Sequence, residues 1–577
     1  MNSSDERRRG AKPKDARKAA RPNDAHRKVD SATNPRPQTP RSGARSEPQA
    51  SEAQQGWAAM TIPRTLERAA ALWPNASAIE DGDVRLSFSQ LAAQVERAAR
   101  GLIAAGVAKG DRVAIWAPNS SAWEIAALAA HSAGAVLVTL NTRFKAHEAA
   151  YVLAKSGTRL LLTVGDFLGM NYAEAIAEQD LPRLARVVTL AGIAKNATSW
   201  SELLAGGDAV PAAAARERAA SVTPDDLSDI LFTSGTTGFP KGVMTAHGQN
   251  LRVFDAWSAG VGLRAGDRYL IINPYFHSFG YKAGWLSCLM RGATALPHAV
   301  FDVAKVLARC ERERITVLPG PPTLYQSILA QEGREKFELS SLRLAVTGAA
   351  AVPVELVKRM KSELGFETVI TAYGLTESCG TVSLCTPADD AETIATTSGK
   401  PLPDTEVKCV REDGCEAPRG EPGELWVRGY NVMRGYFEDS AESAKAVDSD
   451  GWLHTGDVAV MDARGYLRIT DRIKDMYIYG GFNCYPAEIE NLIYKHPGVA
   501  QVAVIGVPHE RQGEIGMAFV VPRPSAALEP DALIRWCRDN MANYKVPGSV
   551  RIVSALPQNA SGKVLKTELR KLAAERA

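Results

Sequence analysis

The sequence predicts an α/β protein with a large N-terminal domain and a small, mobile α+β C-terminal domain. From about residue 60, short apolar runs alternate with amphipathic helical patterns. Helices between apolar strands are typical of parallel sheets covered on both faces. We therefore expect two helix-covered sheets in the large domain. Around residues 398–470 the pattern changes to short strands separated by Gly, Pro and Asp turns, which predicts an additional small barrel-like subdomain.

The first 55 residues differ in composition from the rest of the chain. They contain no Leu, Ile, Phe, Tyr, Trp or Cys, so they cannot bury enough apolar surface to offset the entropy of ordering. They carry thirteen Lys and Arg against seven Asp and Glu, a net charge of +6, whereas the remaining residues carry −3. We therefore expect residues 1–55 to be a disordered basic tail. The nearly neutral body gives no reason to expect a nucleic-acid partner.

Eight apolar runs are examples of the predicted strands of the large domain. They are RVAIWAP (112–118), GAVLVTL (134–140), RLLLTV (159–164), SDILFTSG (228–235), RYLIINP (268–274), TVLPG (316–320), LRLAVTG (342–348) and ETVITAYG (367–374). A compact unit follows, with a helix that has Pro486 near its start and a second helix over residues 530–542. We place the large domain at residues 56–471 and the small one at 472–577.

The cysteines and the hydropathy pattern indicate the cellular compartment of the protein. Eight cysteines without a C-x-x-C pair predict free thiols in a reducing cytoplasm. The start of the chain is charged and lacks the apolar stretch of a signal peptide. The most apolar window, residues 123–140, contains Glu124 and His131 and is not predicted to span a membrane. We expect a cytoplasmic protein, with the oligomeric state open between monomer and homodimer.

A Ser/Thr/Gly-rich loop carries the strongest chemical signal. It directly follows a predicted strand, where ligands bind at the carboxyl edge of an open α/β sheet. Its glycines permit a tight turn with exposed N–H groups, and its hydroxyls and lysine suit a polyphosphate. The spacing differs from that of a Walker A loop. The candidate phosphate-binding residues are Thr233, Ser234, Gly235, Thr236, Thr237, Gly238 and Lys241.

This loop resembles the signature of the acyl-adenylate-forming superfamily, which includes acyl-CoA synthetases, peptide-synthetase adenylation domains and beetle luciferases. The resemblance extends from about residue 60 to the end of the chain. Tyr373-Gly374-Leu-Thr376-Glu377 matches the family motif Y-G-x-T-E, in which Thr contacts the α-phosphate and Glu holds Mg²⁺. The resemblance implies further contacts to the nucleotide: adenine at Gly348, Ala349 and Ala350, ribose at Asp457, and a second contact at Arg472.

The same resemblance implies a reaction in two steps and a domain that moves between them. ATP and a carboxylate give acyl-AMP and pyrophosphate, and coenzyme A then gives acyl-CoA and AMP. Lys563 is implied to be catalytic and to bridge the carboxylate and the α-phosphate, and Lys474 to be the hinge. Gly480 and Gly481 are implied to lie against the pantetheine arm of CoA. ATP, Mg²⁺ and CoA are the expected cofactors.

The acyl pocket is predicted in the run NPYFHSFGYKAGW and beside it. Its candidate residues are Phe276, His277, Phe279, Tyr281, Trp285 and Gly320. His277 matches a family position that gates the carboxylate site, and we include it among the catalytic residues. Lys282 is interpreted as a candidate partner for a keto or carboxyl group of the substrate.

Several runs, including FHSFGYKAGW and ITDRIKDMYIYGGFNCYPAEIE, resemble one branch of the superfamily: bacterial ligases that act late in steroid breakdown. That resemblance implies a bicyclic indane-dione propanoate (HIP) as substrate. Medium-chain, aromatic and alicyclic acids stay open. An acceptor other than CoA is a further alternative, but Ile478 stands where luciferases have a second lysine. A non-catalytic nucleotide- or acyl-binding protein is a third alternative, and the joint presence of the motif residues argues against it.

Overall fold

The computed structural model describes residues 56–233, 240–348, 352–472, 475–479, 482–510, 512–524, 526–541, 543–559 and 563–575. The predicted basic tail, residues 1–55, lies outside this part of the chain. All described residues belong to one unit that spans residues 49–577. The eight cysteines are free thiols, as expected from their spacing.

A seven-stranded sheet carries the strand that leads into the predicted phosphate loop. Two of its central strands, Val136–Thr139 and Leu160–Val164, are runs in which every residue is buried, as in a parallel sheet covered on both faces. Neighbouring strands are parallel except for the first pair, which is antiparallel. In spatial order the strands are Lys241–Ala246, Leu227–Thr233, Val136–Thr139, Arg112–Trp116, Leu160–Val164, Arg186–Ala191 and Thr198–Ser199.

A second sheet consists of two four-stranded halves that meet at Val317. One half has the order Arg268–Ile271, Thr294–Pro297, Ser77–Asp81 and Val84–Ser87; the other has Leu344–Gly348, Thr368–Tyr373, Ser383–Leu384 and Lys400–Pro401. Val317 forms parallel bridges to Tyr269 and Leu344 and so joins the halves. The run 316–320 is therefore a connecting bridge, where we expected a regular strand. Pro319 has no N–H to donate, so the ladder to strand Arg268–Ile271 stops there, whereas the Leu318 and Gly320 N–H groups still donate to Leu344 and Val346.

The region predicted as a barrel-like subdomain is a four-stranded antiparallel sheet. Its strands are Thr405–Val410, Pro422–Gly429, Leu453–Met461 and Leu467–Arg472, each paired with the next. Its own apolar core includes Leu425, Val427 and Leu467. The sheet therefore folds around side chains separate from the main core.

The C-terminal unit is built on a long hairpin with a separate core on each face. The hairpin strands are Val499–His509 and Gly513–Pro522, and the other strands are Tyr477–Tyr479, Phe482–Cys484 and Ser549–Ile552. Because successive strand residues point to opposite faces, Val520 packs with the helices Pro486–Ile493 and Pro530–Asn540, while Phe519 packs with Lys566–Ala574. The domain boundary proposed at residue 471/472 falls at the end of the preceding sheet and stays a prediction.

The remaining α-helices cover the two large sheets and the connections between them. In chain order they are Ile62–Leu72, Phe88–Ala104, Ser121–Ser132, Ala146–Ser156, Tyr172–Ala177, Trp200–Gly206, Ala212–Ala220, His247–Gly260, Ser278–Gly280, Ser287–Arg291, Val303–Arg312, Pro322–Ala330, Val354–Leu364, Ala391–Thr396 and Ser440–Ala446. A π-helical turn, Tyr281–Leu286, joins two of them. Within the described ranges, no helix is long and apolar enough to cross a membrane.

Candidate active site at the carboxyl edges of the sheets

The two ends of the predicted phosphate loop are held together by the first sheet. Thr233 ends one strand, Lys241 begins the next, and the two residues are direct antiparallel partners. The loop residues Ser234, Gly235, Thr236, Thr237 and Gly238 lie outside the described residues. The Lys241 ammonium forms an ion pair with the Glu442 carboxylate and lies 5.1 Å from the centre of the Tyr436 ring. The predicted phosphate cation therefore already has a carboxylate partner.

Glu377 lies next to this loop, although 136 residues separate it from Lys241 in the chain. It occupies a single 3₁₀ turn, Thr376–Ser378, after the strand that ends at Tyr373. Its Oε1 atom accepts a hydrogen bond from the Tyr436 hydroxyl at 3.0 Å and a longer one from Thr233 Oγ1 at 3.4 Å. Burial, and next the Glu377 charge, raise the pKa of Tyr436, so this phenol is a donor.

The predicted nucleotide contacts surround the end of strand Thr368–Tyr373. The Tyr373 hydroxyl donates to Asp457 Oδ2 at 2.6 Å, and Asp457 is only 3% exposed. Gly348 ends the adjacent parallel strand. A Cβ atom on Gly374 would lie 2.3 Å from the Gly380 carbonyl oxygen, so the backbone approach here requires glycine.

Several predicted contacts fall outside what the structure describes. The backbone of Arg472 pairs with that of Asp457, which places the two residues side by side. The side chain of Arg472 is outside the description. So are Ala349, Ala350, the hinge residue Lys474, and the CoA-loop residues Gly480 and Gly481. Their assigned roles remain predictions.

The predicted acyl-pocket residues separate into two groups by depth. Phe276, His277 and Phe279 are partly buried at the sheet edge, and Thr139 Oγ1 donates to the Phe276 carbonyl at 2.8 Å. Tyr281 and Trp285 are closed to solvent and stack on each other at 4.8 Å, in an aromatic cluster with Trp123. Gly320, the last of the predicted acyl-pocket residues, is also buried.

Lys282 is not placed to meet a substrate, in contrast to our interpretation. It is 1% exposed, and its Nζ lies 3.0 Å from Asp229 Oδ1 and 2.9 Å from Thr245 Oγ1. Asp229 is fully buried and also accepts hydrogen bonds from Ser228, Thr245 and Asn250, each at 2.7 Å. A buried charge must be paired, and this pairing connects the π-helical turn to the strand that leads into the phosphate loop.

The positive charge of Lys563, in the C-terminal unit, affects His277 of the predicted acyl pocket. Burial first, and then the charges of Lys563 and Lys282, together lower the pKa of His277 to about 4. His277 is therefore neutral near pH 7, and its Nδ1 accepts the Phe279 N–H at 3.2 Å. A turn holds Lys563, whose N–H donates to Asn559 Oδ1 at 2.8 Å. The charge of Lys563 therefore acts on the acyl-pocket segment.

Sequence reasoning missed three residues that the structure brings into this site. Asp229 could have been noticed, because it is a charged residue inside an otherwise apolar strand. Tyr436 and Glu442 lie in a loop and a short polar helix whose sequence has no periodic or motif signal. Only the pairing of residues 434–437 with strand Lys241–Ala246 brings them to the phosphate loop.

Comparison with known proteins places this arrangement in a family. The AMP-binding enzyme family matches residues 66–437, and the C-terminal domain of AMP-binding enzymes matches residues 488–563. The chain belongs to the AMP-binding enzyme family. The predicted superfamily is thereby confirmed.

Two similar relatives have the same printed name, "3-[(3aS,4S,7aS)-7a-methyl-1,5-dioxo-octahydro-1H-inden-4-yl]propanoyl:CoA ligase". The protein of Rhodococcus jostii (strain RHA1) is 50% identical over 516 residues, which cover 88% of this chain and 98% of the relative. The protein of Mycobacterium tuberculosis (strain ATCC 25618 / H37Rv) is 51% identical over 513 residues, covering 89% and 99%. The predicted enzyme class, an AMP-forming acyl-CoA ligase, is confirmed by these relatives.

A solved structure supports the fold. The anthranilate CoA ligase in complex with anthranoyl-AMP superposes with a TM-score of 0.80 at 28% sequence identity, covering 90% of this chain and 98% of that one. The predicted α/β fold class, with its small C-terminal domain, is confirmed by this match.

Proposed function

We propose that this enzyme adenylates the bicyclic indane-dione propanoate with ATP and transfers the acyl group to coenzyme A. The observation that carries the chemistry is the convergence of Lys241, Glu377 and Asp457 at the carboxyl edges of the sheets, with Lys563 presented from the C-terminal unit. The close identity to two ligases named for this acid supports the choice of substrate.

In the first step, a carboxylate must attack the α-phosphate of ATP, and both groups are anions. Cations and hydrogen-bond donors held between them lower the barrier by stabilising the charge of the transition state. Lys563 is the proposed bridge between carboxylate and α-phosphate, and Lys241 the partner of the outer phosphates. His277, neutral near pH 7, leaves the positive charge at the reacting oxygens to Lys563.

The Glu377 region fits a magnesium ion. Mg²⁺ binds hard oxygen ligands and usually takes one or two carboxylates together with water and substrate phosphates. Glu377 supplies one carboxylate beside the phosphate loop, and no cluster of three metal-ligating side chains occurs among the described residues. Bound there, the ion would neutralise charge on the triphosphate and on its pyrophosphate leaving group.

The second step needs a path for the thiol of CoA. We propose that the C-terminal unit rotates about Lys474, which withdraws Lys563 and brings Gly480 and Gly481 toward the adenylate. The thiolate then attacks the acyl carbon, the C–S bond forms, and AMP leaves with the electron pair of the broken C–O bond. The large domain at residues 56–471 binds the nucleotide in both steps, in a monomer or a homodimer.

The charge balance of the predicted acyl pocket supports an acid with an uncharged body. Lys282 was the candidate cation there, and its pairing with Asp229 removes it as a partner for a second carboxylate. Phe276 and Phe279 supply aromatic surface at the partly buried edge. A bicyclic diketone with one carboxylate suits this environment, and so do medium-chain, aromatic and alicyclic monocarboxylates.

The proposal is tested by CoA-dependent AMP release with ATP, Mg²⁺ and a panel of acids. The panel contains the bicyclic propanoate, benzoate, cyclohexanecarboxylate, octanoate and a dicarboxylate such as malonate. We expect the highest kcat/KM with the bicyclic propanoate and none with malonate. A preference for octanoate or benzoate would be consistent with an acyl-CoA ligase but would reject the bicyclic propanoate as its substrate. AMP release without CoA would indicate another acceptor. Absence of carboxylate-dependent pyrophosphate exchange would reject the proposal that the protein is catalytic.

A further inference from the structure

Glu442 is held against the phosphate loop by contacts between distant parts of the chain. Residues 434–437 run alongside strand Lys241–Ala246: the Met244 N–H donates to the Gly435 carbonyl at 3.0 Å, and the Phe437 N–H to the Gly242 carbonyl at 2.7 Å. The Tyr436 N–H then donates to Ser443 Oγ at 2.8 Å, which fixes the following helix, Ser440–Ala446. This arrangement presents Glu442 to Lys241.

The contact is a double ion pair centred on one carboxylate. Glu442 Oε2 accepts from Lys241 and Oε1 accepts from Lys445 at 2.6 Å. The hydrogen bonds from Lys241 and then Lys445 hold the pKa of Glu442 at about 2, so the carboxylate stays charged at neutral pH. The side chain of Lys241 is 15% exposed, while that of Lys445 is 74% exposed. The inner lysine is mostly buried beside the Tyr436 ring, and the outer one is exposed to solvent.

We propose that Glu442 is a positioning residue that occupies Lys241 until the outer phosphates of ATP displace it. This inference rests on the proposed function, in which Lys241 binds those phosphates. One ammonium cannot pair fully with a carboxylate and a polyphosphate at once, so each anion weakens the other. Lys445 keeps the displaced carboxylate paired. After adenylation, Glu442 returns to Lys241 and promotes release of pyrophosphate.

A purely structural ion pair makes a different prediction. Pairs that are partly exposed contribute little to stability, and loss of such a pair would leave nucleotide affinity unchanged. Competition for Lys241 instead requires that removal of the carboxylate charge strengthens binding of ATP and of pyrophosphate. AMP has no outer phosphates, so its affinity should stay the same in either case.

The experiment compares Glu442→Gln with the native enzyme by calorimetric titration of ATP, pyrophosphate and AMP in the absence of a carboxylic acid. We expect ATP and pyrophosphate to bind about threefold more tightly and AMP to bind with unchanged affinity. A change of about threefold corresponds to the small free energy of a partly exposed ion pair. Pyrophosphate should inhibit the first step more strongly. Thiolation of supplied acyl-AMP should be unchanged. Glu442→Asp, which keeps the charge on a shorter side chain, should show an intermediate effect.

Two controls separate competition from a general change in charge. Glu438→Gln removes the same charge from an exposed residue near the helix and should leave all three affinities unchanged. In a Lys241→Met background, Glu442→Gln should lose its effect on ATP. Unchanged or weaker ATP binding in Glu442→Gln, or equal tightening of AMP, would overturn the inference. Native enzyme that fails to bind ATP at all would instead reject the proposed function.

Discussion

Breaking the buried ion pair between Lys282 and Asp229 should destabilise the large domain strongly. Lys282→Met keeps most of the side-chain volume and leaves the carboxylate of Asp229 buried without its cation. Removing one partner of such a pair typically costs about 3–5 kcal/mol. The remaining hydrogen bonds from Ser228, Thr245 and Asn250 partly stabilise the carboxylate, so we expect a loss of about 3 kcal/mol in the free energy of unfolding.

The assay is urea unfolding of the full chain, followed by tryptophan fluorescence. Trp285 lies on the same π-helical turn and Trp123 packs against it from helix Ser121–Ser132, so these buried rings report on opening of the turn. The double variant Lys282→Met/Asp229→Asn should recover most of the lost stability, because it leaves no unpaired charge. Lys305→Met, at an exposed helix position, should change the free energy of unfolding by less than about 0.5 kcal/mol.

The same variant should affect the acid substrate more than the nucleotide. Loss of the pair releases the turn that follows His277 and Phe279, so the KM for the carboxylic acid should rise while the KM for ATP changes little. A free-energy loss below about 1 kcal/mol for Lys282→Met would refute this reasoning, since typical buried pairs cost several times more. Simple additivity in the double variant would refute it as well.

Three further outcomes can be measured. Lys563→Ala should slow carboxylate-dependent pyrophosphate exchange at least about 100-fold, because it removes the cation between the two anions. The same variant should change thiolation of supplied acyl-AMP by less than about threefold. Equal loss of both steps would contradict the two-state domain motion. Tyr373→Phe removes the hydrogen bond to Asp457 and should raise the KM for ATP about tenfold in initial-rate measurements. An unchanged KM for ATP would contradict a role of Tyr373 in orienting the Asp457 carboxylate. Burial lowers the pKa of His247 to about 4, and its Nδ1 accepts the Ile62 N–H. As pH falls from 6.5 toward 4, the unfolded chain therefore binds more protons than the folded one, and His247 should lower the free energy of unfolding by up to about 3 kcal/mol. The measurement is the urea midpoint against pH, with His247→Gln as the control. A pKa near 6.5 for His247, measured by NMR, would contradict the prediction.

Local sequence patterns were sufficient for most strands of the large domain and for the order of the motifs. Strands such as Leu160–Val164 are continuous apolar runs, and such runs become buried in a helix-covered sheet wherever their neighbours lie. The run TVLPG is not a regular strand because Pro319 cannot donate to strand Arg268–Ile271, although Leu318 and Gly320 still donate to strand Leu344–Gly348. The phosphate loop and the motif from Tyr373 to Glu377 follow predicted strands, where parallel strands place their ligands. Asp457, Arg472 and Lys563 were predicted only from the family resemblance.

The sequence by itself therefore determined the fold class, the order of the chemical motifs along the chain, and the residue types available to bind a phosphate and a carboxylate. Tertiary structure alone decided which charges face one another. Lys282 pairs with Asp229 across 53 residues, and Lys241 pairs with Glu442 across 201. The first pair excludes a cation that the sequence suggested for the substrate, and the second supplies a competitor for ATP. A charge carries no local signal of its partner, because burial and pairing depend on the packing of elements distant in the chain.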